Sequence, residues 1–300
     1  MPKPMLLDVD TGIDDAIAIA LATNLPDHRL VAVTTVAGNV PLDVATRNSL
    51  RVLSWIGADV PVYRGMSRPL VRPLHTATRF HGNDGLGGWE IPDGGRAAEQ
   101  ETAPEAILRL AREHRGELDA VFVGPLTNLA VALALEPELA GWFRSVTIMG
   151  GAFYKPGNET EFAEFNIYVD PEAANQVARS GLPATWIGLD VTHQTYLAVE
   201  EWQQLDGLES ANAQLVHNVT RFAFTTRGQT RAFLHDPLAV AAAAFPDLVT
   251  VASGQVLVET GHSAPGETRL ATGDGDSGVA TAVDVEAFRA LFLERLGLQS

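Results

Sequence analysis

Short apolar runs alternating with stretches of helical spacing limit this chain to one broad class of fold. The runs cover 5–10, 30–38, 60–65, 118–124, 146–151 and 184–192. Helical spacing appears at 14–24, 42–57, 104–114, 126–136 and 171–181. Such β–α alternation predicts an open, mainly parallel, Rossmann-like α/β sheet with helices on both faces. From about 250 to 284 the pattern changes: VTVASGQVLVETG alternates residue by residue, predicting a small antiparallel extension near one edge. A last helix is expected over 284–297. No linker, repeat or low-complexity stretch interrupts the 300 residues, so a single domain over 1–300 is expected.

Composition removes several classes of function. The net charge of −16 speaks against a nucleic-acid partner, because phosphate binding needs a basic face. No apolar run approaches the roughly 18 residues of a membrane span, and MPKPMLLDVD does not read as a signal peptide. With no cysteine, disulfides and thiolate metal sites are excluded. A cytoplasmic location is the expectation.

In open α/β sheets, ligands bind outside the carboxyl ends of the strands. The first strand runs there into LLDVDTGIDDA (6–16), where Asp8, Asp10, Asp14 and Asp15 crowd into eight positions. Like charges so close repel. Capping of the following helix explains one acid, but not four. A hard divalent cation explains the rest: calcium takes 6–8 oxygen ligands, often carboxylates, whereas magnesium uses fewer and keeps more water. Gly12 lets the loop fold tightly.

A second reading stands beside it. DVDTG resembles the nucleophile motif of haloacid-dehalogenase-type phosphatases, with Asp8 attacking phosphate, Asp10 as acid/base and magnesium bound; GDGDSG (273–278) resembles their late acidic loop. Against this, ETRLA before Asp274 is not an apolar strand, the phosphate-binding lysine has only Lys155 as a candidate, and Asp14 and Asp15 are left without a role. Three further stretches carry polar groups near helix starts. Glu164 and Asn166 lie two apart in AEFNIYVDPEAA, and His235 and Asp236 precede Pro237 in FLHDPLAVAAAA, where Asp236 could equally be an N-cap. HGNDGLGG (81–88) begins with His81 and has the glycine content of a surface loop or a lid.

Taken together, these stretches resemble the inosine–uridine-preferring nucleoside hydrolase family. DVDTGIDDA, TTVAGNV (34–40), HGNDGLG, VGPLTNLA (123–130), IMGGAF (148–153), GNETEFAEFN (157–166) and HDPLA (235–239) occur in the family's order. The resemblance implies calcium-dependent hydrolysis of the N-glycosidic bond of ribonucleosides to free base and ribose. It implies calcium bound by Asp10, Asp15 and Asp236 and by the main-chain carbonyl of Thr127. Asp14, Asn39, Asn158, Glu164 and Asn166 would hold the ribose hydroxyls. Met149 and Phe165 would pack near the sugar, and Phe165, His81 and His235 would border the base.

That chemistry builds positive charge on C1′ and O4′, which a ring of carboxylates stabilises. A divalent ion lowers the pKa of water that it binds, and Asp10 is the expected general base. His235 is the expected leaving-group acid, given the natural titration range of imidazole. Base preference should lie in HNVTRFAFTTRGQTRAFL (217–234), where Phe222, Phe224, Arg227 and Gln229 could face the base. Purine-accepting members of the family this chain resembles tend to carry tyrosine there; this stretch has none, so the resemblance leans towards pyrimidines without excluding inosine. A homodimer or homotetramer is implied. A calcium-stabilised domain that binds nucleosides without cleaving them is the non-enzymatic alternative.

Overall fold

The structure, a computed structural model, describes residues 2–298. Seven parallel strands form its centre: β1 (Lys3–Val9), β2 (His28–Thr35), β3 (Val62–Arg64), β4 (Glu99–Thr102), β5 (Asp119–Phe122), β6 (Ser145–Met149) and β7 (Ala184–Ile187). A two-stranded antiparallel ribbon, β8 (Tyr196–Ala198) and β9 (Arg231–Phe233), stands apart. β10 (Val249–Val258), β11 (Thr268–Thr272) and β12 (Ser277–Val283) complete a ten-stranded sheet in the order β11-β10-β12-β7-β6-β5-β1-β2-β3-β4. The antiparallel extension expected near the C-terminus is there; β12 pairs parallel with β7 and antiparallel with β10, so it joins the two halves.

Helices cover both faces. In chain order they are α1 (Ile13–Thr23), α2 (Leu42–Trp55), α3 (Thr78–His81), α4 (Ala103–Glu113), α5 (Thr127–Leu135), α6 (Phe165–Val169), α7 (Pro171–Ala178), α8 (Leu189–Thr192), α9 (Val199–Gln204), α10 (Ala211–Arg221), α11 (His235–Ala244) and α12 (Val285–Arg295). Strands buried on both sides sort their side chains by parity. In β1, Met5, Leu7 and Val9 enter the core beneath α1, α10 and α11, while Leu6 enters the core beneath α4, α5 and α7. At β5 and just beyond it, Val121 and Val123 enter the first core, and Ala120 and Phe122 the second. Among the described residues no helix is long and apolar enough to cross a membrane.

Two local expectations differ from the structure. The apolar stretch 184–192 is not one strand: β7 ends at Ile187, and α8 follows with Gly188 as its N-cap. Leu189, Asp190, Val191 and Thr192 are all buried, so the spacing of apolar residues could not separate strand from turn. The polar, largely exposed β4 has no apolar run to announce it, because an edge strand can face water. ETRLA is partly a strand, β11, but at the antiparallel edge rather than in the parallel core.

At the amino end of the sheet a buried charge cluster ties strands together. Asp119 opens β5 and His28 opens β2, on either side of β1. His28 Nε2 lies 3.1 Å from Asp119 Oδ2, and Arg144 and Ser145 also bond this carboxylate. Its burial alone would raise the carboxyl's pKa, but the bonds from His28, Arg144 and Ser145 outweigh it and hold the group below its ordinary range.

Candidate active site

From β1 the chain steps outward through β2, β3 and β4, then returns to place β5 on β1's other side. That reversal opens a crevice beyond the carboxyl ends of β1 and β5, where α/β sheets bind ligands. Asp10 lies just past β1, and Val123-Gly124 just past β5. A cavity of about 310 Å³ opens here, and its lining divides in two. Asp14, Asn39, Met149, Asn158, Glu164, Asn166 and Asp236 form a polar floor, while Phe80, His81, Phe165, His193, Phe233 and His235 give an aromatic upper wall. Another cavity, of about 360 Å³, lies between the β8 ribbon and α12, but its charged members include the ion-paired Glu201 and Arg289 rather than a convergent set of acids.

The acids are packed by backbone donors. Asp15 sits in the first turn of α1; its Oδ1 accepts from Asp10 N (3.0 Å), and its Oδ2 accepts from Gly12 N (2.8 Å) and Asn39 Nδ2 (3.0 Å). Asp10 Oδ2 accepts from Asn39 N (2.6 Å), while its Oδ1 is buried without a hydrogen-bond partner. Gly38 makes this approach possible: a Cβ there would lie 2.1 Å from Asp10 Oδ2. Asp236 reaches the same place from the first turn of α11. Carboxylate oxygens of Asp14, Asp15 and Asp236 lie within 4.8 Å of one another.

Burial raises every member of this group, and repulsion from neighbouring acids adds to it at Asp10, Asp14 and Asp236. Asp10 and Asp236 are pushed well above the usual carboxylate range, first by burial and then by neighbouring acids. Asp14 is pushed up to about 8 by burial, Asp15 and Glu164. Such a set cannot hold four negative charges at neutral pH without a compensating cation. The all-oxygen donor set, the convergence of three carboxylates and the unpartnered Asp10 Oδ1 fit a hard divalent metal ion.

Asp8 lies outside this group. It is fully buried, its Oδ2 accepts from Thr34 Oγ1 (2.6 Å) and Asn128 Nδ2 (2.7 Å), and burial pushes its carboxyl up to about 7. It does not line the cavity and is not placed to attack a substrate there. Through Asn128, which also bonds Thr35 O and Met66 N, it ties together the ends of β1 and β2, the loop after β3 and the start of α5.

The amides on the floor are held by one end and free at the other. Asn166 Nδ2 donates to Val123 O (2.7 Å) and Met149 O (3.2 Å), leaving its carbonyl for a ligand. Asn158 Oδ1 accepts from Phe165 N (2.9 Å), leaving its NH₂. Glu164 caps α6, accepting from Asn166 N and Ile167 N as well as Gly151 N, and burial pushes it up to about 7. Thr127 points its hydroxyl at Asp170 Oδ2 (2.6 Å) and does not line the cavity with its side chain.

Both histidines are held neutral. His81 Nδ1 accepts from Ile13 N (3.0 Å), which puts the ring proton on Nε2; burial and then Arg227 push the ring down to about 4. His235 Nδ1 pairs with Thr192 Oγ1 at 2.8 Å; burial, His193 and His81 push it down to about 3.

The family description "Inosine-uridine preferring nucleoside hydrolase" matches residues 5–290. The chain belongs to that family. It is 41% identical over 266 residues to the pyrimidine-specific ribonucleoside hydrolase RihA of Shewanella woodyi, covering 87% of this chain and 85% of the relative. It is 38% identical over 291 residues to the non-specific ribonucleoside hydrolase RihC of Salmonella agona, covering 95% and 94%. The solved purine-preferring ribonucleoside hydrolase from Gardnerella vaginalis superposes with a TM-score of 0.94 at 36% identity, covering 99% of each chain. The chain is thus a nucleoside hydrolase, an enzyme that uses water to break a nucleoside's N-glycosidic bond.

In this hydrolase the sequence-derived residues Asp14, Asn39, His81, Met149, Asn158, Glu164, Phe165, Asn166, His235 and Asp236 share one cavity, with Asp10 and Asp15 buried against its floor. Of the four residues singled out in 217–234, Arg227 and Gln229 line it. Phe222 and Phe224 do not: Phe222 packs against Gly87, and Phe224 stacks on Trp202 with ring centroids 5.0 Å apart. Phe80, Glu159, His193 and Phe233 also line the cavity and had no signal in the sequence, since isolated residues in very short elements and loops look like any surface residue.

Proposed function

We propose that this nucleoside hydrolase is a calcium-dependent ribonucleosidase, with Asp10 as general base. The observations that carry this reading are the convergence of the Asp14, Asp15 and Asp236 carboxylates under a cavity floored by free amide ends, and an Asp10 oxygen left unpartnered in the chain segment bonded to Asp15. Asp10, Asp15 and Asp236 would hold the ion, with the main-chain carbonyl of Thr127; Asp14, which offers an oxygen within 4.8 Å of those of Asp15 and Asp236, would face the sugar. The chemistry a divalent ion supplies in such a site is the acidification of water.

The chain's own residues do the rest. Asp14, Asn39, Asn158, Glu164 and Asn166 bind and orient ribose through its hydroxyls, while Met149 and Phe165 exclude water from the sugar face. As positive charge develops on C1′ and O4′, the surrounding carboxylates stabilise it. Asp10 takes a proton from the attacking water at its unpartnered Oδ1. His235, kept neutral, and His81 border the base as hydrogen-bonding groups, with His235 the leaving-group donor; a cation beside Asp236 would keep its ring neutral. The enzyme works in the cytoplasm, as a homodimer or homotetramer.

A panel of uridine, cytidine, inosine and adenosine with their 2′-deoxy forms tests the reading. Base release from ribonucleosides should exceed that from deoxynucleosides by at least about 100-fold in kcat/KM, because unsatisfied hydroxyl-binding groups reject an analogue lacking the hydroxyl. Equal rates on both series would refute the ribose assignment. Asp236→Ala should weaken calcium affinity at least about tenfold by titration calorimetry, since one of three charged ligands is lost. Unchanged affinity would remove Asp236 from the ligand set.

A further inference from the structure

The upper wall of the cavity holds a cation with no acid to neutralise it. Five residues, Phe222–Thr226, form a π turn after α10, closed by Arg227 N donating to Phe222 O (3.0 Å). The wider turn sets Arg227 at the cavity rim, where its guanidinium lies 4.3 Å from the centroid of the Phe80 ring. Arg79 lies over the same ring, at 4.7 Å, but it is paired with Glu159 at 2.6 Å, a carboxylate that also bonds His75 (3.0 Å). Among the described residues Arg227 has no carboxylate partner, and the charged group pressing on it is Arg79, another cation. Gln229 lines the cavity beside it.

Lying over Phe80 holds the guanidinium by cation–π attraction without using its N–H donors. A half-buried guanidinium with idle donors in a ligand cavity calls for an acceptor from the ligand. The ribose end of the cavity is lined by acids and amides, so this cation faces whatever the sugar carries.

Resting on the nucleoside hydrolase reading, we propose that Arg227 is a further leaving-group residue of this enzyme, acting beside the hydrogen bond from His235: its guanidinium, held over Phe80, binds a ring carbonyl of the base and takes up the negative charge of the departing base. The C1′–N bond breaks with its electron pair passing to the base. Water oxygen forms the new C1′–O bond, and its proton passes to Asp10. The base leaves as an anion delocalised onto its carbonyl oxygens, held by Arg227, and is protonated from solvent. Because arginine stays charged at all working pH values, this form of activation needs no protonated histidine. It complements the hydrogen bonds of His81 and His235, which are present in the neutral rings.

The test compares substrates that need such help with one that does not. Parent, Arg227→Met and Arg227→Lys are assayed with calcium on uridine, inosine, uridine 5′-monophosphate and p-nitrophenyl β-D-riboside, whose nitrophenolate leaves unaided. Arg227→Met should lose about 10- to 100-fold in kcat on the nucleosides, with a smaller change in KM. Its rate on the nitrophenyl riboside should stay within about twofold of the parent. Arg227→Lys should recover part of the nucleoside rate by restoring charge. Phe80→Leu, which removes the ring but keeps the cation, should show the same pattern more weakly.

Equal losses on nucleosides and nitrophenyl riboside would make Arg227 merely structural and overturn the proposal. So would unchanged nucleoside rates, or a loss confined to the monophosphate, which would assign the cation to a phosphate. A parent inactive on every riboside would instead sink the nucleoside hydrolase reading on which the proposal rests.

Discussion

Asp10→Asn is expected to cut kcat on the best ribonucleoside about 1,000-fold, in the middle of what a positioned general base contributes. The substitution keeps the shape of the side chain. Its carbonyl can still accept from Asn39 N, as Asp10 Oδ2 does at 2.6 Å. What is lost is the second oxygen, the buried one without a hydrogen-bond partner, replaced by an NH₂ that cannot take a proton from water. Binding of ribose or an uncleavable analogue should survive within a few-fold, because the ribose amides are untouched. In chelator the variant should melt no lower than the parent, since one of the mutually repelling buried acids is gone. Steady-state kinetics with a calorimetric binding curve and a melting curve read all three. A variant retaining parental kcat would remove Asp10 from the role of base.

Asp119→Ala is expected to cost about 3 kcal/mol, the lower part of the range for removing one partner of a buried charged pair. Arg144 is about a third exposed and can turn its charge to water; the His28 ring cannot reach water for the bond it loses, with its side chain only 2% exposed and its Nδ1 already without a partner. For a chain of this size that corresponds to a fall in Tm of roughly 6 °C. The pH dependence has a definite sign. A carboxyl whose pKa is depressed by folding stabilises the protein above its unfolded value, near pH 4, and loses that contribution as pH falls through the lower folded value. The gap between parent and variant should therefore be present above about pH 4 and close below it. A variant as stable as the parent at neutral pH would show that the cluster contributes nothing.

Periodicity exposed the parallel core because strands buried on both faces must be apolar throughout, as 5–10 and 118–124 are. It misread 184–192, where a strand and a short helix are equally buried, and it missed β4, whose polar residues face water. The acids were legible for the opposite reason: four carboxylates in eight positions are too costly to be accidental. Phe80 and His193 carried no such mark, because what makes them notable is where the one-turn helices α3 and α8 bring them. Arg227 and Phe222 lie five residues apart in the same polar stretch, yet only Arg227 reaches the cavity. The difference is made by the π turn, whose extra residue shifts the facing of the helix end in a way that α-helical spacing does not describe.

The reversal of strand order between β1 and β5 has a consequence for how the molecule must be built. The contributors to the pocket arrive on several different connections, from the one after β1 to the start of α11, so no excised fragment of the polypeptide holds a working half of it. A ligand seated there bridges polypeptide segments more than two hundred positions apart and acts as a clasp on the finished tertiary structure. Its stabilising influence is exerted on the cooperative unit as a whole, and maturation of the catalytic centre has to wait until the last of those crossovers has docked.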